Sequence, residues 1–439
     1  MSTFAAARSI MAISLGFHIL LAVTGMAMPL LMIIAEFLWL KTKNALYLDL
    51  AKRWSRGAAI LFAVGAVSGT SLSFELGLLW PKFMAFSGPV IGLPLSMELF
   101  AFFLEAIALG IYLYGWTRVG PLTHLLSGVL VFMSGTASAV FIVTANAWMN
   151  VPTGFDLVAG QATNIRPWEA MWNPMAAPQA IHMVIAAFAA VGFVVAGIHA
   201  NVLLKSPASG FHRRGFAIAL AVGGLGAFLQ PISGDYSAKA VAHNQPLKLA
   251  AMEGQWNTER GAGLTIGGIP DSRTEKTPYG LEIPHMLSLL ATGDPDAQIK
   301  GLKAFPKNER PPVVVTHLAF QAMVGLGFSM MGIVALAMLL RLRQRTNPWP
   351  RWFLRIMVGA SPAGLMAIEA GWITTEVGRQ PWIVNGIMRS ADAVTPVSNL
   401  TAPLIAFTAL YAILGIVTLS LLRMQVFQSF EEEGGQVVA

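Results

Sequence analysis

Six side chains that could bind iron or carry protons lie inside long apolar segments of this sequence. A charged group near the centre of a bilayer is costly, so each is a candidate functional residue. An imidazole nitrogen and a thioether sulfur together form a six-coordinate, low-spin haem site, whereas a lone histidine or carboxylate leaves an open iron position. The six are His18, Glu98, Glu105, His182, Met323 and Glu369.

The same residue types have simpler roles. A lone membrane histidine more often forms a hydrogen bond between helices, which we expect for His124 and His199. With 22 methionines in the chain, a single methionine is usually core filling. Buried glutamates also relay protons or bind ions in transporters. The residues alone therefore predict a polar redox or ion site in the membrane, and they do not by themselves select haem.

Nine apolar segments are long enough to position these residues across a bilayer. Hydrophobic residues make up 55% of the 439 positions and charged residues 12%, with a mean hydropathy of +0.62. A helix needs roughly 20 apolar residues to cross about 30 Å of hydrocarbon. This excludes a soluble protein and predicts an all-α integral membrane protein of about nine transmembrane helices. The predicted spans are Ile10–Leu38, Gly57–Phe74, Val90–Gly115, Leu122–Trp148, Pro178–Leu204, Gly215–Leu229, Val313–Leu340, Phe353–Val377 and Ala402–Leu422.

Lys and Arg predict the orientation, because they concentrate in alternate connections between the spans. The positive-inside rule then places the N-terminus outside and the C-terminus in the cytoplasm. Nowhere do these cations form a stripe interleaved with aromatics, so we expect no nucleic-acid partner. The cations assigned to the inner face are Lys41, Lys43, Lys52, Arg53, Arg56, Arg118, Lys205, Arg213, Arg214, Arg341, Arg343, Arg345 and Arg351.

In this orientation three of the candidate residues share one depth. His18, Glu98 and Glu369 each lie about eight or nine residues from the outer end of a span, roughly 12–14 Å below the outer surface. Glu105 lies on the same helix face as Glu98 and about 10 Å deeper. His182 and Met323 also lie in the outer half. The sequence therefore predicts one polar site in the outer leaflet.

The connection 233–311 is much longer than a turn and lies on the predicted outer face. Long loops on a compact scaffold are usually functional or disordered, and we favour function because Lys248–Glu253 is predicted to be helical. The predicted organisation is transmembrane helices 1–6 in 1–232, an outer loop in 233–311, helices 7–9 in 312–424 and a cytoplasmic tail in 425–439.

Several segments resemble cytochrome bd oxidase subunit I, in the family's order and over essentially the whole chain. The most specific is Glu369-Ala370-Gly371-Trp372, followed by Glu376-Val377-Gly378-Arg379-Gln380-Pro381-Trp382. The remaining matches are Arg8 and His18, Met97–Glu105, Ala145–Met149, Gly234-Asp235 and Lys248–Glu253.

The resemblance implies a quinol:oxygen oxidoreductase of the bacterial inner (plasma) membrane that reduces O2 to water and generates a membrane potential. His182 and Met323 would ligate a low-spin haem b. His18 and Glu369 would hold a high-spin haem b and a haem d, and a sub-branch of the family replaces haem d by a second high-spin haem b. Glu98 would be a ligand or a proton acceptor, and Arg379 a further cofactor-binding residue.

The resemblance also implies that quinol binds under the outer loop, now a periplasmic loop between helices 6 and 7. Lys248 would polarise a quinol oxygen there and Glu253 would accept its proton. Glu98 and Glu105 would carry protons, with Ser138 and Asn146 on the same inward-facing route. The implied partners are subunit II, a small single-helix subunit, quinol, O2 and membrane lipid.

One departure concerns Gln321, two residues before Met323, where some members have Arg. Its neutral side chain would remove one electrostatic stabiliser of the reduced low-spin haem.

Two rival functions fit the same residues. A secondary transporter could couple ions through Glu98, Glu105 and Glu369, but transporters usually show paired repeats and helices broken near the midplane, and we expect neither here. A haem-bearing electron conduit could pass electrons from quinol to an acceptor other than oxygen.

Overall fold

The computed structural model describes residues 2–343 and 349–427, which are mostly helical. The predicted inner-face residue Arg345 and the tail from position 428 onward lie outside the described residues. The helices are α1 (Thr3–Thr42), α2 (Ala45–Leu79), α3 (Pro81–Tyr114), α4 (Pro121–Asn150), α5 (Pro167–Met171), α6 (Ala176–Lys205), α7 (Gly210–Asn244), α8 (Pro246–Glu253), α9 (Met286–Thr292), α10 (Val313–Arg343), α11 (Arg351–Ala360), α12 (Ala363–Val377), α13 (Ser390–Ala393) and α14 (Thr401–Leu422).

Nine helical segments in the described part of the chain are long and apolar enough to cross a membrane. They coincide with the nine predicted spans, and α11 and α12 together form the eighth. Local signals set several of their ends. The Asn44 side chain accepts a hydrogen bond from the Leu46 amide at the start of α2, and proline occupies the first turn of α3, α4 and α8. The predicted all-α membrane fold is confirmed.

The eighth span is interrupted, contrary to the expectation of unbroken helices. The α-helix α11 ends at Ala360 and α12 begins at Ala363, with Ser361 and Pro362 between them. Proline has no amide hydrogen and its ring clashes with the preceding turn, which explains the interruption.

Helix α7 is longer than the predicted span and continues to Asn244, past the position at which the outer loop was predicted to begin. The added turns are rich in alanine, a strong helix former, and Pro246 follows their end. As a consequence Ser233 and Gly234 belong to a membrane helix rather than to the loop.

Small residues allow α6 and α7 to pack closely. A methyl group built on Gly192 would lie 2.3 Å from the Gly223 Cα atom, and one on Gly226 would lie 2.7 Å from the Ala189 amide nitrogen. Small residues at helix contacts are typical of membrane bundles, where van der Waals packing drives association. The largest buried cluster surrounds this contact and includes residues of α1, α2, α10 and α11.

The connections on the loop side of the bundle carry short two-stranded antiparallel ribbons. Their strands are β1 (Asp156–Val158), β2 (Gln161–Thr163), β3 (Glu259–Arg260), β4 (Leu264–Gly267), β5 (Gly280–Ile283), β6 (Gln298–Ile299), β7 (Trp382–Val384) and β8 (Met388–Arg389). The pairs are β1–β2, β3–β6, β4–β5 and β7–β8. The long loop therefore contains two ribbons and the helices α8 and α9, and the predicted helix at Lys248–Glu253 is confirmed as α8.

Candidate functional site

His18 lies on α1 with its ring against α2. Its Nδ1 atom is 2.9 Å from the Ser68 hydroxyl oxygen, and a methyl group built on Gly69 would lie 3.0 Å from its Cε1 atom. The absence of a side chain at position 69 thus lets the imidazole lie flat against α2. The Ser68 hydrogen bond to Nδ1 fixes the ring orientation, as second-shell partners of ligand histidines do.

Glu98 and Glu105 lie along the contact between α3 and α4. The Ser138 hydroxyl donates to Glu98 Oε1 at 3.3 Å, and a methyl group built on Gly135 would lie 2.9 Å from Glu105 Oε1. Glu105 is buried and Glu98 is half-buried. The structure therefore brings together three residues predicted from the sequence, in a polar line that follows one helix interface.

Glu369 lies on α12 and points toward α1. Its Oε2 atom would lie 3.5 Å from a methyl group built on Gly16, two residues before His18. Its Oε1 atom is buried and has no hydrogen-bond partner among the described residues. A buried carboxylate oxygen without a donor is costly, so this atom is suited to a ligand that the chain itself does not supply.

His182 and Met323 lie on different membrane helices, α6 and α10. His182 Nδ1 is 3.1 Å from the Ser233 hydroxyl, and the Gln230 amide nitrogen is 3.0 Å from Nε2. Met323 faces α12, because a methyl group built on Gly371 would lie 2.8 Å from its sulfur atom. Gln230 was not identified from the sequence, although a glutamine inside an apolar span is a visible signal.

Lys248 and Glu253 are both buried on the short helix α8. Burial is the main cause that lowers the pKa of Lys248 to about 7; the nearby Arg379 also lowers it and Glu376 opposes the change. Burial raises the pKa of Glu253 to about 8, and its Oε2 atom has no hydrogen-bond partner among the described residues. Both groups can therefore change protonation near neutral pH, which proton transfer requires.

A hydrogen-bonded chain joins α8 to the end of α12 through α4. The Lys248 ammonium donates to Asn150 Oδ1 at 2.5 Å, and Asn150 donates to the Asn146 carbonyl oxygen at 3.0 Å. Asn146 donates to Glu376 Oε1 at 2.6 Å, and Arg379 donates to Glu376 Oε2. Asn146, which was predicted on the inward-facing proton route, donates its side-chain hydrogen bond to Glu376.

Asn150 and Glu376 are functional candidates that the sequence did not single out. Glu376 was visible within the Glu376–Trp382 motif, but Asn150 carries no local signal. Arg379 is buried, and its Nε and Nη1 atoms have no partner among the described residues. A buried guanidinium with two free donors is suited to an anionic group such as a carboxylate.

Several features of these residues bear on whether they fit haem. The predicted iron ligands His18, Glu98, His182, Met323 and Glu369 are only half-buried, so protein atoms do not fully enclose them. Glu369 Oε1 and two Arg379 nitrogens lack partners among the described residues, and glycines lie against four of the five ligands. No three His, Asp or Glu side chains in 2–343 and 349–427 cluster around a bare metal position. The half-buried candidate ligands, the free Glu369 oxygen and the free Arg379 nitrogens are features that fit haem.

His124 and His199 were expected to form hydrogen bonds between helices, and both do so. His124 Nδ1 is 2.8 Å from Glu36 Oε1, across from α4 to α1, and Nε2 is 2.9 Å from the Tyr112 carbonyl oxygen. His199 Nδ1 is 3.0 Å from His212 Nδ1. Both are buried and hydrogen-bonded between helices, as predicted.

The chain is similar to several known proteins over nearly its whole length. A family model described as cytochrome bd terminal oxidase subunit I matches residues 6–429. A Bacillus subtilis (strain 168) relative, named for subunit I of a cytochrome bd menaquinol oxidase, is 37% identical over 413 residues, covering 93% of each chain. Subunit 1 of the Escherichia coli (strain K12) cytochrome bd-II ubiquinol oxidase is 30% identical over 475 residues, covering 92% of this chain and 91% of its own. The solved bd oxidase of Geobacillus thermodenitrificans matches with a TM-score of 0.92 and 38% identity, over 97% of this chain and 98% of that one.

Proposed function

The chain belongs to the cytochrome bd terminal oxidase subunit I family, and we propose that it oxidises quinol at α8 and supplies haem ligands from four membrane helices. It is a multi-pass membrane subunit of a haem-containing quinol oxidase that has more than one subunit. The family membership removes the support for an ion transporter and for an electron conduit that ends at another acceptor.

The observation that carries the quinol proposal is the burial of both ionisable residues of α8. The Glu253 carboxylate has a free oxygen and accepts the proton of a quinol hydroxyl. The Lys248 ammonium, which donates to Asn150, polarises a quinol oxygen. Both charges are costly in this dry site unless they contact a polar substrate. Glu253 releases the proton on the side of the loop.

His182 and Met323 are the proposed ligands of a low-spin haem b, and His18 a ligand of one high-spin haem. When bound, haem supplies rapid electron transfer and an iron position at which oxygen is reduced. Ser233 orients the His182 ring and Ser68 orients the His18 ring. Arg379, with its two free donors, is proposed to bind a haem propionate.

Helix α12 is proposed to supply the carboxylate ligand of the other high-spin haem. Glu369 is the first candidate, because its Oε1 atom is free. Glu376 is the second, because it is bonded to Arg379, the proposed propionate anchor. Replacing each residue by glutamine distinguishes the two candidates. Only replacement of the true ligand is expected to remove one high-spin haem from the purified complex.

Glu105, Ser138 and Glu98 are proposed to carry protons from the inner side toward the oxygen site. The three side chains follow one another along the α3–α4 interface. With the N-terminus outside and the loop periplasmic, quinol protons leave on one side and protons for water arrive from the other. This arrangement generates a membrane potential without a pump. Subunit II is the proposed partner. The proposed third haem is haem d or a second high-spin haem b.

The low-spin ligand assignment is tested by replacing His182 or Met323 by alanine in the purified complex. We expect each variant to lose the low-spin signal in reduced-minus-oxidised spectra, because one axial ligand is missing. His243→Ala and Met366→Ala are matched controls, since both side chains are exposed on α7 and α12. An unchanged low-spin signal in His182→Ala contradicts the assignment.

A further inference from the structure

Two side chains of α10 bind the backbone of the long loop. The Gln321 side-chain amide accepts a hydrogen bond from the Gly267 amide at 3.1 Å and donates one to the Thr265 carbonyl oxygen at 2.8 Å. Thr265 and Gly267 lie two residues apart in β4, so their free backbone groups point to the same edge. Gln321 therefore pairs with that edge as a peptide group of another strand would.

His317 lies one helical turn before Gln321 and extends the same contact. Its Nε2 atom is 2.9 Å from the Gly267 carbonyl oxygen, and Nδ1 is 2.8 Å from the Met252 carbonyl oxygen. Each contact pairs a ring nitrogen with a carbonyl oxygen, which can only accept, so the ring nitrogen that carries hydrogen is the donor. The ring is completely buried, so water does not compete for these contacts. His317 thus joins β4 to the residue that precedes Glu253.

The backbone of the loop is shaped to allow this approach. Gly254 ends α8 in the left-handed region at a φ of 63°, and a methyl group built on it would lie 3.3 Å from His317 Nδ1. Gly267 has a φ of 70° at the end of β4. A two-stranded ribbon is marginally stable alone, so we expect the bonds from α10 to stabilise the position of β4–β5.

We propose that His317 and Gln321 are positioning residues that hold the loop closed on α10 and thereby place Glu253 for quinol oxidation. This inference rests on the proposed role of Glu253. It also gives Gln321 a function of its own at the position where some family members have Arg, because its neutral amide binds the loop rather than stabilising haem charge.

The test uses Gln321→Leu in the complete complex, because leucine keeps most of the volume and removes both hydrogen bonds. We expect backbone hydrogen exchange of the β4 segment to become about tenfold faster or more, since the Gly267 amide loses its acceptor. We also expect kcat/KM for a soluble quinol to fall about tenfold, with the dithionite-reduced haem spectrum unchanged. His317→Gln, which keeps one donor, is expected to give a smaller change in the same direction.

Gln255→Leu is the matched control, because Gln255 lies in the same loop and its side-chain amide donates to the Asn257 carbonyl oxygen and to the Glu259 carboxylate, not to β4. Unchanged β4 exchange in Gln321→Leu overturns the proposal. A changed low-spin haem spectrum also overturns it, because Gln321 then acts through Met323. Faster β4 exchange with unchanged quinol kinetics would show that the contact forms but does not position Glu253, which overturns the functional part. The exchange measurement is independent of turnover, so a failure of the assigned role of Glu253 is recognised separately, from Glu253→Gln.

Discussion

At the level of single residues, Lys248 and Glu253 combine burial with opposite pKa changes. The pKa of Lys248 falls to about 7 and that of Glu253 rises to about 8 because burial penalises the charged form of each. The proposed chemistry needs the ammonium and the carboxylate together. As pH rises, the fraction of Glu253 carboxylate increases and the fraction of Lys248 ammonium decreases.

We therefore expect kcat/KM for quinol to pass through a maximum between about pH 7 and 8. Glu253→Gln is expected to remove the rising limb and lower kcat/KM about a hundredfold or more, the usual contribution of a general base. Lys248→Gln is expected to remove the falling limb. Quinol-dependent oxygen consumption across the pH range measures both. The control is Glu259→Gln, exposed in the same loop, and a rising limb that survives in Glu253→Gln contradicts the assignment.

At the level of elements, glycines set how closely ligand-bearing helices approach. Met323 on α10 packs against Gly371 on α12, where an added methyl group would lie 2.8 Å from the sulfur atom. The methionine has to move if that space is filled. The position of α12 therefore determines where the thioether of α10 lies.

Gly371→Ala is expected to displace Met323 and to shift or weaken the low-spin haem band, at a cost of about 1–3 kcal/mol in stability. Gly332→Ala on α10 is the matched control, because a methyl group there would meet no atom within 4 Å. The spectra of the two purified variants are compared, and equal spectra would show that Met323 is not held by this contact.

The sequence predicted the elements better than their contacts. Long apolar runs identified the nine spans found in the described residues, and the composition of Lys248–Glu253 identified α8. Pro362 was a visible signal for the break in the eighth span, and alanines before Pro246 were one for the extension of α7. In contrast, Asn146 and Glu376 are 230 positions apart, and Gln321 and Gly267 are 54 apart. Such pairs leave no local pattern, so only the folded chain reveals them.

At the level of the whole molecule, the orientation of nine spans determines the direction of proton movement. The proposed topology places the long loop outside and the connection between α6 and α7 inside. The chain contains no cysteine, so single cysteines can report the side of each segment without background.

We expect Tyr279→Cys to react with a membrane-impermeant maleimide added outside intact cells, because Tyr279 is 91% exposed in the loop. Ser206→Cys, exposed between α6 and α7, is expected to react only after the membrane is permeabilised. Labelling is measured by mass shift on a gel. The reverse labelling pattern would show that the topology is opposite to the proposed one. The proposed direction of the membrane potential would then be wrong as well.

The packing of α14 against α1 has a consequence for biosynthesis. Phe17, next to His18, contacts the Tyr411 ring at 5.1 Å between centroids, and the Tyr411 hydroxyl donates to Glu75 on α2 at 3.3 Å. Among the nine spans of the described residues, α1 is synthesised first and α14 last. The wall beside His18 is thus completed only after α14 has been synthesised and inserted, so this side of α1 has no packing partner from α14 until then.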